Sequence, residues 1–133
     1  MDRYRVLKNV AFEVVEKEKL PKPGDIRFPC SLNGTMKRNG TCIKSGRDDT
    51  FRIIIHTVRA RFVPDPNGKY RKKNGERFRR IMGIEREFPD VVETVAHELA
   101  HLKYWNHDSQ HKAYTLHLYE KLKEGLHFRG VEI

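Results

Sequence analysis

His97, Glu98 and His101 stand in the run His-Glu-Leu-Ala-His, and His107 follows with five residues between it and His101. On a helix, residues four apart share a face, with Cβ atoms about 6 Å apart. Two imidazoles so spaced can meet one metal ion. Glu98 is rotated from His97 by roughly 100°, which puts its carboxylate beside the ion but outside the ligand set. From there it can take a proton from a water that the ion activates. His107 is placed to add a third nitrogen where the chain turns back, leaving a fourth position open, as in catalytic rather than structural zinc sites. His111 is the alternative third ligand, or a hydrogen-bonding partner of a ligand or of the transition state.

Such a pattern works only on a helix, and the flanking residues supply one. Asp90 and Glu93 make a capping-box pattern that predicts a helix over 91–105. Val92, Val95, Ala96, Leu99 and Leu102 form its apolar side, away from both histidines, and Asn106 is its stop. A last helix is predicted over 109–124, with Asp108 as N-cap, Tyr114, Leu118 and Leu122 aligned, and Gly125 closing it. Residues 2–20 carry a partly helical pattern through Val6, Val10, Phe12, Val14 and Val15, stopped by Pro21 and Pro23. Between these helices, 25–30 reads as a short strand, at a sheet edge because of Pro29. The turn signals Asn33-Gly34 and Asn39-Gly40 precede a second strand over 41–45. The β-branched run 51–58 follows a polar turn at 46–49 and is the clearest strand.

Lys and Arg number 27 against 18 Asp and Glu in 133 residues, a net charge of +9. The excess is local. Residues 59–80 hold Arg59, Arg61, Lys69, Arg71, Lys72, Lys73, Arg77, Arg79 and Arg80 against Asp65 and Glu76, a net +7, so the other 111 residues share +2. The turn signals Asp65-Pro-Asn-Gly68 and Asn74-Gly75 predict a β-hairpin or long loop extension there. Phe62, Tyr70 and Phe78 interleave with its cations, a composition suited to DNA or RNA, although charge runs are commonly just solvated. The absence of a long uncharged apolar window argues against a membrane span. The charged first 20 residues argue against a signal peptide, so the expected compartment is cytoplasmic. Cys30 and Cys42 are expected as reduced thiols, and no Cys-x-x-Cys suggests a cysteine zinc knuckle. The length predicts one domain over 1–133, expected to be a monomer.

The segment from His97 through Trp105-Asn-His107 to His111 and Tyr114 resembles small gluzincin-like metallopeptidases. It is most similar to the SprT-like, WLM and YgjP-like families, which share HExxH, five residues and a third histidine. The match is specific over 90–120 and weaker over Arg38-Asn-Gly-Thr-Cys42 and Ile53-Ile-Ile55. The resemblance implies a small zincin-like α+β fold: an N-terminal helix, a three- to four-stranded antiparallel sheet, the metal helix and a following helix. It also implies His97, His101 and His107 as ligands of one Zn²⁺, Glu98 as general base, and a protein or peptide substrate. His111 stands where many relatives carry an aromatic, and the basic stretch 59–80 looks like an insertion. The family spacing favours His107 over His111 as ligand.

The remaining candidates have plainer readings. His117 is expected at the surface, and His56 as a packed or exposed strand residue. Tyr104 and Tyr114 are expected to pack rather than to donate to an oxyanion, and Trp105 to sit in the core or the cleft wall. The expected function is zinc-dependent peptide hydrolysis, directed to nucleic-acid-associated proteins by the basic hairpin. The alternative is a metal-stabilised nucleic-acid-binding module with little or no hydrolysis.

Overall fold

The computed structural model describes residues 2–29, 39–47 and 50–133, with Met82 described in its backbone only. Cys30, the Asn33-Gly34 turn, Arg38, and Asp48 and Asp49 of the polar turn therefore lie outside the described residues. The chain is α+β, with three helices and two small sheets.

Helix α1 (Arg3–Lys17) starts where the Asp2 carboxylate accepts from the Tyr4 and Arg5 backbone N–H groups. It buries Leu7, Val10, Ala11, Val14 and Val15, a stripe at helical spacing. It ends before the prolines, because Lys19 takes a left-handed φ of 56°. The Leu20 and Lys19 N–H groups then close back on the carbonyls of Val15 and Glu16.

The first sheet has the order β1-β3-β2, with β1 (Asp25–Arg27), β2 (Gly40–Lys44) and β3 (Phe51–Ile55). The most apolar strand is central, and Ile53 and Ile55 are fully buried. The edge position of β1 is as Pro29 implies. The sheet is mixed rather than antiparallel as expected: β2 pairs antiparallel with β3, but β1 pairs parallel, Ile26 opposite Ile53. β1 and β2 flank β3 on opposite sides and meet it in opposite senses.

The expected strand 51–58 is divided. The Arg86 guanidinium takes the His56 carbonyl at 2.7 Å and the Arg86 N–H takes that of Thr57 at 2.9 Å, so neither serves the first sheet's ladder. Val58 begins a second sheet of order β4-β6-β5, from β4 (Val58–Pro64), β5 (Tyr70–Arg71) and β6 (Arg77–Glu85). The predicted hairpin over 59–80 is therefore a three-stranded arm that runs on to Glu85. A register shift near Arg59, with Gly83 at φ 75°, bends its root.

Helix α2 (Phe88–Ala100) starts at Glu87, not Asp90, and no side chain caps it. Pro89 fits a first turn, where its missing N–H costs nothing, so the helix begins earlier than the Asp90–Glu93 box suggests. The Asp90 carboxylate instead meets Arg86 at 3.0 Å. The helix also ends earlier, at Ala100, in tight turns that return the N–H groups of Leu102, Lys103 and Tyr104 to Leu99 and Ala100. Helix α3 (Ser109–Phe128) is capped by Asp108, whose carboxylate accepts from the His111 N–H at 2.9 Å. It passes through Gly125, where a Cβ would lie 2.6 Å from Val10 Cγ1. That glycine is a close-approach point between α1 and α3, and the helix closes at Gly130 instead, with φ 79°. Leu118, Leu122 and Leu126 of α3 complete the core with α1, β3 and α2.

Candidate metal centre

The early end of α2 builds the site. His97 and Glu98 lie in its last turn and His101 is its C-cap, so the chain leaves the helix at the second histidine and folds back to bring His107 alongside. The Nε2 atoms of His97 and His107 are 3.1 Å apart, and the ligand-capable nitrogens of His97, His101 and His107 all lie within 4.8 Å of one another. Among the described residues no other trio of His, Cys, Asp or Glu converges in this way. Two nitrogens each about 2.05 Å from a tetrahedral ion would be about 3.3 Å apart. The donor set is three imidazoles, and its closest pair has nearly that spacing, so the residues fit a metal ion.

His111 joins the same cluster from the first turn of α3. All six ring-centroid separations among His97, His101, His107 and His111 fall between 4.2 and 5.2 Å. Its Nε2–H donates to the His97 carbonyl at 3.0 Å, and its ring is buried against His101. That places it as a brace on the metal helix, outside the converging trio. The His101 Nδ1–H donates to the Tyr104 carbonyl at 3.3 Å, which leaves Nε2 with the lone pair.

Electrostatics favour neutral imidazoles. Burial, reinforced by neighbouring His111, His101 and His107, pulls the His97 pKa down to about 4. Burial also lowers that of His101, again with help from His111 and His107. A neutral ring is the form that ligates. Glu98 is buried on the same helix, with Oε1 4.0 Å from His97 Nε2. Burial, and then the Glu98 charge, pushes the half-buried Cys42 thiol up to about 12, so it stays protonated and inert.

A groove runs over these groups between α2 and the edge strand β2, with Gly40, Cys42, Thr94 and Trp105 among its walls. Gly40 is required there: a Cβ would stand 2.7 Å from Thr94 Cγ2 and 3.2 Å from Glu98 Cγ. The ladder pairs Asn39 with His56 and Ser45 with Thr50, so the Gly40 and Cys42 peptide groups point away from β3, toward the groove side of the strand.

One organiser carries no sequence signal. Arg86, in a charged stretch that reads as surface, is 2 % exposed and binds the carbonyls of His56, Asn39 and Asp90, the Asp90 carboxylate and Thr94 Oγ1. It ties the arm's root, the start of β2 and the first turns of α2 together. Only the convergence of three distant segments makes it visible.

The other candidates fall elsewhere. His56 is buried at the end of β3, and neither ring nitrogen has a partner among the described residues. His117, half-exposed, meets Glu18 at 2.6 Å, and the Tyr114 hydroxyl donates to the same carboxylate at 3.2 Å. Burial raises the Tyr114 pKa, and it packs edge-on to Tyr104. Trp105 is exposed and lines the groove, a cleft wall rather than core. Of the basic residues, Arg59 and Arg61 lie on β4 and Arg71 on β5. Lys69, Lys72 and Lys73 lie in the connections, and Arg77, Arg79 and Arg80 on β6. None of them lines the groove that holds the histidines. No helix among the described residues is long and apolar enough to cross a membrane.

No family model, curated protein or solved structure matches the chain.

Proposed function

We propose that the chain is a zinc-dependent peptidase of the SprT-like kind, with His97, His101 and His107 holding the ion and Glu98 acting as general base. The observation that supports this reading is the convergence of three imidazoles beside a buried carboxylate, at the floor of a groove edged by a strand. Three nitrogen ligands suit zinc, and a fourth position is left for chemistry. When bound, zinc polarises a carbonyl oxygen and brings the pKa of a water toward 7. With the ion held, Glu98 would take a proton from water as its oxygen adds to the scissile carbonyl, and would pass that proton to the amine nitrogen as the C–N bond breaks. The Gly40 and Cys42 peptide groups can pair with an extended substrate, so recognition works through backbone and accepts many unfolded sequences. Metal analysis of the purified chain and a Glu98→Gln variant test the reading. Stoichiometric zinc and a loss of about 10²–10⁴-fold in hydrolysis of an unfolded protein are expected. A metal-free active chain, or a variant as active as wild type, would end it.

The charge of the arm, held apart from the metal centre, favours a second reading: a metal-stabilised module that binds DNA or RNA with little or no hydrolysis. The two readings coexist in a peptidase directed to nucleic-acid-bound proteins. Salt-dependent oligonucleotide binding that survives Glu98→Gln, in a chain without peptidase activity, is the result that would select the second alone.

A further inference from the structure

Beyond Val58 at its root, no described side chain of the β4–β6–β5 arm is buried. Both faces meet water, and strand alternation gives them different chemistry. One face carries Phe62, Tyr70, Phe78 and Arg80. Its rings are already engaged: Phe62 and Tyr70 meet edge-on at 5.3 Å, Arg80 lies 5.4 Å from the Tyr70 ring centre, and Lys72 Nζ lies 4.6 Å from that of Phe78. The other face carries Arg61, Arg71, Arg77 and Arg79, with Arg71 directly opposite Arg77. Like charges opposed across a ladder destabilise it. Asp65 reaches this set only at Arg79, 3.9 Å away.

We infer that this arginine face grips the phosphate backbone of duplex nucleic acid. The inference deepens the nucleic-acid reading above and is independent of hydrolysis. Guanidinium forks suit phosphate oxygens, and a duplex offers one charge per about 1.7 Å of axis, the densest complement to four clustered arginines. Single-strand binding relies on free aromatic platforms, and here Phe62 and Tyr70 meet edge-on while Lys72 and Arg80 lie over Phe78 and Tyr70. The arm's root is fixed by the Arg86 N–H to Thr57 carbonyl bond, and the Arg86 guanidinium also binds groups at the groove rim. A duplex on the arm is therefore tethered to the body that carries the histidine cluster.

The test is fluorescence anisotropy of the full chain with labelled DNA and RNA duplexes of unrelated sequences, the matching single strands, and poly-L-glutamate. It is run on wild type and on Glu98→Gln, so that a failed peptidase reading leaves the binding result intact. Four phosphate contacts predict a log–log salt slope of about −3.6, roughly a hundredfold loss of affinity from 50 to 200 mM salt. Arg71→Gln/Arg77→Gln is expected to weaken binding tenfold or more and to reduce the slope by about 2. The charge-matched pair Lys72→Gln/Lys73→Gln should stay within about twofold of wild type, because Lys72 lies over the aromatic face. Far-UV circular dichroism confirms that both variants are folded. Equal weakening by the two pairs, binding of single strands or polyglutamate as tight as of duplex, or no duplex binding at low salt would overturn the inference.

Discussion

In the body, α1, β3, α2 and α3 meet across Leu7, Val10, Ile53, Val92, Leu99 and Leu122, none more than 1 % exposed, whereas Val58 is the arm's one buried side chain among the described residues. The metal centre inherits the body's rigidity. Its histidines sit where a packed helix ends, braced by His111 and by the Tyr104 carbonyl. The arm is held by its ladder and by ring and cation contacts on one face. On the reading proposed above, chemistry that needs fixed geometry would lie in the densely packed region. Chemistry that needs only charge density would lie on a sheet joined to the body at its root, through Val58, Arg86 and the Arg3–Glu85 pair. A sheet exposed on both faces has weak stabilisation of its own, and its root depends on Arg86.

The largest expected effect separates the regions by activity. Glu98→Gln should lower hydrolysis by about 10²–10⁴-fold, while Arg71→Gln/Arg77→Gln should leave turnover of a free peptide unchanged. Assays of both variants on one substrate check this. A comparable loss in the arm variant would mean that the arm belongs to the catalytic groove, and the division would fail.

Arg86→Met attacks the junction. It removes the partner of three backbone carbonyls and of Thr94, and leaves Asp90 unpaired but half-exposed. A loss of about 2–4 kcal/mol in unfolding free energy is expected from denaturant midpoints. Gly40→Ala should cost about 1–3 kcal/mol, because its methyl meets Thr94 and Glu98. It should also reduce hydrolysis, since Glu98 must shift. Stability without an activity loss would show that Glu98 tolerates displacement.

These two residues mark what the sequence could and could not convey. The convergence of His97, His101 and His107 was legible because its signal is local: four-residue spacing on a helix and a histidine just beyond it. Helix and strand existence was legible from periodicity. Boundaries failed where tertiary contacts overrode local signals. Asp90 looked like a cap, but Arg86 takes its carboxylate and Pro89 starts the helix earlier. Gly125 looked like a stop, but it is where Val10 presses on α3. The parallel pairing of β1 and the burial of Arg86 depend on which distant segments converge, and no local pattern encodes that.

Acidification should weaken the body first through its buried histidines. His97, His101 and His56 all have folded pKa values below the ordinary 6.5, lowered first by burial, and His56 further by Arg86. The unfolded chain then binds more protons below pH 6.5, so stability is full above that value and falls as pH drops toward about 4, where His97 titrates in the fold. Asp25, lowered mainly by its bond to Arg27, adds a further loss only below the ordinary carboxylate range. Thermal melts of chelator-treated protein from pH 7 to 4 measure the first window. His56→Leu should flatten it, because it replaces a buried ring that has no partner among the described residues.

The smallest expected effect is in the arm. Phe62→Ala removes a ring that is 53 % exposed and touches Tyr70 at 5.3 Å. Little buried area is lost, so global unfolding should change by about 0.5 kcal/mol or less. The local consequence should be larger than the global one, because ring contacts take the place of a core there. Hydrogen exchange at the β5–β6 ladder, Tyr70 opposite Phe78, should quicken in the variant while exchange in α2 and β3 stays as in wild type. If exchange accelerates in both regions together, arm and body unfold as one cooperative unit through Arg86. If it accelerates in neither, the ladder alone holds the arm, and the aromatic face is free for another use.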